Sequence, residues 1–121
     1  MKKIDIRANS IELTPAIEEY IYKKAESFDK YIEGGDGARL YVEIEKTTAH
    51  HRQGEVFRAE FNLSTSKGQF RAEEEASDLY AALDEVKDEL LSEIRKEKDK
   101  HQTLLKRGHQ KVKDFLRRFN N

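Results

Sequence analysis

Hydrophobic and polar residues alternate from Lys2 to Ala8, with Ile4, Ile6 and Ala8 on one side and Asp5 and Arg7 on the other. A period of two sends successive side chains to opposite faces, so this segment predicts a half-buried strand. The period then lengthens. Ile17, Ile21, Ala25, Phe28 and Ile32 recur at intervals of three or four and form one helical stripe. Thr14 and Pro15 open it, since a Thr oxygen accepts from a free first-turn amide and Pro lacks the N–H that would go unpaired there. Gly34-Gly35-Asp36-Gly37 ends the helix in a flexible turn.

Alternation returns in Leu40, Val42 and Ile44 against Tyr41, Glu43 and Glu45, a second strand. A loop from Thr47 to Gly54 holds His50, His51 and Arg52. Phe57, Ala59, Phe61 and Leu63 alternate with Arg58, Glu60, Asn62 and Ser64, a third strand. Ser66-Lys67-Gly68 reads as a hairpin turn with glycine available for positive φ. Phe70 and Ala72 against Arg71 and Glu73 predict a short fourth strand. Glu43, Glu45, Arg58, Glu60, Arg71 and Glu73 then share an outward, solvated face where opposite charges meet across strands. Helices are expected to cover only the other face.

A second helix opens behind Ser77 or Asp78, with a stripe of Leu79, Ala82 or Leu83, Val86, Leu90 and Ile94. Arg95 to Lys100 is entirely charged, which predicts a helix projecting past the core. From Thr103 to Phe119 the apolar residues Leu104 or Leu105, Val112, Phe115 or Leu116, and Phe119 share a face, with Lys106, Arg107, Lys111, Lys113, Arg117 and Arg118 largely elsewhere. Gly108 costs about 1 kcal/mol within a helix. This segment reads as a helix that orders on a partner. The chain divides into a domain over residues 1–100 and a basic amphipathic tail over 101–121. The order β-α-β-β-β-α predicts an α+β two-layer sandwich: a four-stranded mixed sheet with two helices on one face. The helical crossover makes the first two strands parallel and the short loops make the rest antiparallel.

Composition narrows the function. Charged residues make up 39% of the 121 residues and hydrophobic ones 36%, so a modest core carries long solvated surfaces. The absence of cysteine excludes a disulfide scaffold, a thiol nucleophile and thiolate metal sites. The longest apolar run, Leu79 to Leu83, is far short of the roughly 20 residues that span a bilayer, and no apolar signal segment follows Met1. A cytoplasmic protein without membrane partners is expected. The net charge of −1 hides an asymmetry: residues 1–86 carry 12 Lys and Arg against 18 Asp and Glu, whereas residues 87–121 carry 11 against 6. Balances of −6 and +5 put a basic end on an acidic body and point to a polyanionic partner.

No catalytic constellation emerges. There is no P-loop, dinucleotide-binding glycine pattern or nucleophile elbow, and the glycines at Gly34, Gly35 and Gly37 precede a strand rather than a helix. His50 and His51 are adjacent rather than spaced by three or four, and His101 and His109 are distant, so no metal site, cofactor or small-molecule substrate is expected. Asp78 suits a helix cap, and Tyr80 and Asp84 lie one turn apart in packing roles.

Three stretches carry a resemblance. Asp78-Leu79-Tyr80-Ala81-Ala82-Leu83-Asp84 opens the second helix ahead of Leu90, Ile94, Arg95, Lys96 and Lys98. Ile11-Glu12-Leu13-Thr14-Pro15-Ala16-Ile17 runs to Tyr20-Ile21 in the first. His50-His51-Arg52-Gln53-Gly54-Glu55-Val56-Phe57 leads into the third strand. Over about residues 2–100 the chain resembles the ribosome hibernation promoting factors, or ribosome-associated translation inhibitors. The resemblance implies the same fold. It also implies binding to the small ribosomal subunit and its rRNA, within the whole ribosome, at the decoding centre, where messenger and transfer RNA are excluded without catalysis. The chain looks like the short type, which lacks the domain that pairs ribosomes, and is expected to be a monomer when free. Lys23, Lys24, Lys30, Lys87, Arg95, Lys96 and Lys98 match the family's helix-borne RNA contacts. Arg52 in the loop and Lys106 and Arg107 in the tail extend the basic set. Glu89 and Ser92 stand where many relatives carry basic residues.

Two other readings fit part of this pattern. A general double-stranded RNA-binding module has the order α-β-β-β-α, without the first strand. A protein-interaction regulator would work through the tail's apolar face.

Overall fold

A computed structural model gives the order β1 (Ile4–Asn9), α1 (Pro15–Ala25), β2 (Arg39–Thr47), β3 (Val56–Thr65), β4 (Gly68–Ala76) and α2 (Leu79–Phe119). It describes residues 3–32, 37–47 and 54–119, and within 101–119 the side chains of 103–109, 111, 113, 116 and 117. The expectations placed on Gly34, Gly35 and Asp36, on His50, His51 and Arg52, and on the side chains of Val112, Phe115 and Phe119 lie outside the described residues.

The sheet has the order β1-β2-β3-β4. β1 pairs parallel to β2 across the α1 crossover, and β2–β3 and β3–β4 are antiparallel. This is the predicted α+β sandwich. Register follows the apolar pattern: Ile6 opposes Val42, Val42 opposes Phe61, and Phe61 opposes Ala72. A slip of one residue would turn this whole set to solvent. Ile17, Ile21, Ala25 and Phe28 from the first helical segment close the core together with Leu79, Ala82, Leu83, Val86, Leu90, Leu91 and Ile94 from α2. The ring of Phe28 meets that of Phe61 edge-on at 6.1 Å.

Local chemistry fixes the boundaries. Thr14 Oγ1 accepts from the Ile17 amide at 3.2 Å and Pro15 occupies the first turn, as expected. At Thr65-Ser66-Lys67-Gly68, Thr65 Oγ1 accepts from the Lys67 amide at 3.1 Å. Gly68 takes φ 137°, a conformation other residues avoid. The Asp78 carbonyl accepts from the Ala82 amide at 3.0 Å, which sets Asp78 at the N-cap position of α2.

Two boundaries differ from expectation. The first helix is α-helical only to Ala25 and continues as a 3-10 segment from Glu26 to Tyr31. The apolar spacing tightens to three between Ala25 and Phe28, and three residues per turn keeps Phe28 in the core. β4 runs for nine residues, well past Glu73. The antiparallel ladder with β3 carries it on through Glu74, Glu75 and Ala76 although the apolar alternation has faded.

Past Ile94, the last core residue among those described, α2 continues to Phe119. At 1.5 Å per residue that projection is about 37 Å long. No helix among the described residues is long and apolar enough to cross a membrane.

Candidate nucleic-acid interface

The two faces of the sandwich differ in charge. On the open face Arg58 forms ion pairs with Glu43, with Glu45 at 3.0 Å, with Glu60 at 3.0 Å and with Glu73 at 3.3 Å. Arg71 adds pairs to Glu60 at 2.5 Å and Glu73 at 3.1 Å. The register sets Glu43, Glu60 and Glu73 directly opposite one another across three strands, so the two arginines reach them diagonally across strands and from two residues away on the same strand. Burial works against the Arg58 charge, but Glu60, Glu45 and Glu43 outweigh it and raise the pKa of the guanidinium. The Arg71 hydrogen bond, with Asn62 and Arg58 behind it, lowers the Glu60 carboxyl to about 2 against the cost of burial. Four carboxylates around two arginines leave this face acidic, and it repels polyanions.

On the helical side, two long-range bonds fix how α1 and α2 lie. The Tyr20 hydroxyl donates to Asp84 Oδ1 at 2.6 Å, and Arg95 Nε donates to the Tyr31 hydroxyl at 3.0 Å. Both span 64 residues, so the helical segments run side by side in the same direction, in step over three turns. That alignment brings the basic end of the first segment beside the basic stretch of α2, Lys30 next to Arg95 and Lys98.

The predicted basic residues take different positions. Lys24 is half-buried; its Nζ pairs with Asp84 at 2.9 Å and lies 4.8 Å from the Tyr20 ring centroid. Tyr20 also meets Tyr80 edge-on, at 4.8 Å between centroids. The Asp84 hydrogen bond raises the pKa of both Lys24 and Tyr20, and bonds from Tyr20 and Lys24 in turn hold the Asp84 carboxyl below its usual range. This knot joins the helices. Lys87 pairs with Asp88 at 2.6 Å and Lys96 with Glu93 at 3.5 Å. Lys23 is exposed on α1, and Lys106 and Arg107 are exposed on the projecting part of α2.

Lys30, Arg95 and Lys98 converge on one ring. Lys30 Nζ lies 5.2 Å and Lys98 Nζ 5.8 Å from the Tyr31 centroid, while Arg95 holds the hydroxyl. The Arg95 hydrogen bond lowers the Tyr31 pKa. Sequence reasoning missed Tyr31. The available signal was an aromatic beside Lys30, one 3-10 turn after the core residue Phe28. Glu89 is exposed on α2 and Ser92 is half-buried, so the middle of the helix offers no cation at either position.

The profile of the family described as sigma 54 modulation protein / S30EA ribosomal protein matches residues 4–102. The chain belongs to this family. Among relatives, it is 33% identical over 98 residues to the ribosome hibernation promotion factor of Lactococcus lactis subsp. cremoris, covering 81% of this chain and 50% of that protein. The chain thus spans about half the length of that relative. It is 26% identical over 98 residues to the ribosome hibernation promoting factor of Klebsiella oxytoca, covering 81% of this chain and 95% of that protein. The N-terminal domain of Thermus thermophilus Protein Y superposes with a TM-score of 0.59 at 29% identity, covering 78% of this chain and 97% of that one. A ribosomal subunit interface protein from Coxiella burnetii shares the fold, with a TM-score of 0.59, 18% identity, and 80% and 98% of the two chains covered. The family match ends at residue 102, so the rest of α2 lies outside it.

Proposed function

We propose that this member of the family is a ribosome-associated hibernation factor. It binds the small subunit at the decoding centre through the helical face and silences translation by occupying the path of messenger RNA and the sites of transfer RNA. Inhibition by exclusion requires no bond to be made or broken. Lys23, Lys30, Arg95 and Lys98 meet rRNA phosphates, Lys87 and Lys96 supply charge at the margins, and Lys106 and Arg107 extend the contact along α2. Lys24 contributes by holding the helices in step.

One observation carries the reading. Two helices in step gather Lys30, Arg95 and Lys98 around Tyr31 where α2 leaves the sheet, while Glu43, Glu45, Glu60 and Glu73 crowd the open face. A phosphate-rich partner is attracted to the first surface and repelled by the second. The relatives' printed names, ribosome hibernation promotion and promoting factors, supply the identity of that partner. β1 pairs with β2 as a fourth strand, a feature that the α-β-β-β-α order of double-stranded RNA-binding modules lacks.

The test is co-sedimentation of purified protein with ribosomes and with separated subunits across a salt titration. Pelleting with the small subunit, weakened by salt and competed by messenger RNA with initiator transfer RNA, is expected. Failure of folded protein to pellet at low salt overturns the reading.

A further inference from the structure

Where α2 leaves the sheet, a cavity of about 670 Å³ opens beside the Tyr31 cluster. Pockets for small ligands run from about 300 to 1,000 Å³. Ile32 and Phe70 line its apolar part, and Lys30, Tyr31, Lys98 and one carboxylate, Glu97, its polar rim. Tyr31, Ile32 and Phe70 are each only half-buried. Rim and floor together call for an occupant with an apolar, flat part and an anionic part.

We propose that this cavity takes one unpaired nucleotide of an RNA strand, its base against Tyr31 and Phe70 and its phosphate on Lys30, Lys98 and Arg95. The inference rests on the reading of the helical face as an RNA-binding surface, and adds to it a site for a base rather than for backbone alone.

Three features of the cavity and its rim support it. First, Lys30, Arg95 and Lys98 are like charges drawn to one ring, and none of the three is ion-paired among the described residues. A phosphate between them relieves that repulsion. Second, the two lysines sit on the ring at 5.2 and 5.8 Å in an exposed setting, where such contacts are weak. A base stacked on the ring replaces them while both ammonium groups move to the phosphate, so the ring contact is exchanged and the charges gain a partner. Third, a duplex cannot use the cavity, because the faces of its bases are stacked inside and only base edges, sugars and phosphates face the protein. An unpaired nucleotide can fill it.

The experiment compares a fluorescein-labelled hexa-adenylate RNA with a blunt RNA duplex of equal phosphate number, by anisotropy on the full chain at fixed salt. Tighter binding of the single strand is expected. Tyr31→Ala and Phe70→Leu should each weaken single-strand binding about 10-fold, leaving duplex binding and the salt slope unchanged. Tyr31→Phe, which keeps the ring and loses the Arg95 bond, should bind like wild type. Lys30→Gln and Lys98→Gln should weaken both RNAs and flatten the salt dependence. Phe70→Leu preserves apolar volume, and thermal unfolding checks that each variant is folded. Equal binding of the hexamer by wild type and Tyr31→Ala overturns the proposal. So does Tyr31-dependent binding of hexaglutamate that displaces the hexamer, which would assign the cavity to an acidic protein segment. If either occurs while the chain still pellets with the small subunit, only the cavity assignment falls. If pelleting also fails, the ribosomal reading falls with it.

Discussion

Tyr20 and Asp84 meet at 2.6 Å although 64 residues separate them. The bond ties the middle of α1 to the second turn of α2, and Lys24 closes it from the same side. Its partner eleven residues on, Tyr31 with Arg95, repeats the separation. Together they set the helices in step and so decide which cations become neighbours.

Tyr20→Phe and Asp84→Asn should each cost about 1 kcal/mol, the value of a partly exposed charge-assisted bond. Urea unfolding should show lower midpoints with an unchanged slope. The double variant should lose less than the two single losses together, because both remove the same contact. Full additivity would show that the bond contributes nothing.

Arg58 is the hub of the open face. Arg58→Gln leaves Glu43, Glu60 and Glu73 in a row with only Arg71 against them. A loss of about 2–3 kcal/mol at neutral pH is expected. Chemical denaturation of both proteins at pH 7 checks this.

Glu60 gives the acid response its sign. Its carboxyl titrates at about 2 in the folded protein against 4.5 ordinarily. The unfolded chain therefore binds this proton first, and the stabilisation is full above about pH 5 and lost as pH falls through 4.5 toward 2. The contribution is about 1–3 kcal/mol, discounted for partial exposure. Glu60→Gln should unfold with a shallower pH dependence over that window, and should be less stable than wild type at pH 7.

On the helical side, neutralising Lys30 or Lys98 should reduce the salt slope of ribosome pelleting by about 1 each, as expected for loss of one phosphate contact. Neutralising Lys24 should act instead through stability, since its ammonium is engaged by Asp84. Comparing pelleting slopes with unfolding midpoints separates the two classes.

Removing residues 101–121 should leave stability within about 0.5 kcal/mol of wild type, because Ile94 is the last core residue among the described ones. Ribosome pelleting should weaken without vanishing. Complete loss would assign binding to the exposed Leu104, Leu105 and Leu116 and favour a protein-interaction role for this segment.

Most of the fold was legible along the chain. Period-two and helical-period patterns located the four described strands and both α-helices, Thr14-Pro15 marked a start, and Gly68 marked a turn, because these signals depend on neighbours within a few residues. Where local signal faded, pairing took over: β4 extends through Glu74 and Glu75 because β3 supplies a ladder. The first helix tightens into a 3-10 turn because Phe28 must reach Phe61.

The candidate site was legible only as a list of cations. The sequence determined that Lys23, Lys30, Arg95 and Lys98 stand off their apolar stripes, and that acids and bases segregate along the chain. It did not determine that Lys24 turns to Asp84, that Glu43, Glu60 and Glu73 stand in a row, or that Tyr31 gathers three cations. Those are contacts between segments tens of residues apart. Only the strand register and the helix alignment, both imposed by closing one apolar core between two layers, bring such residues within bonding distance.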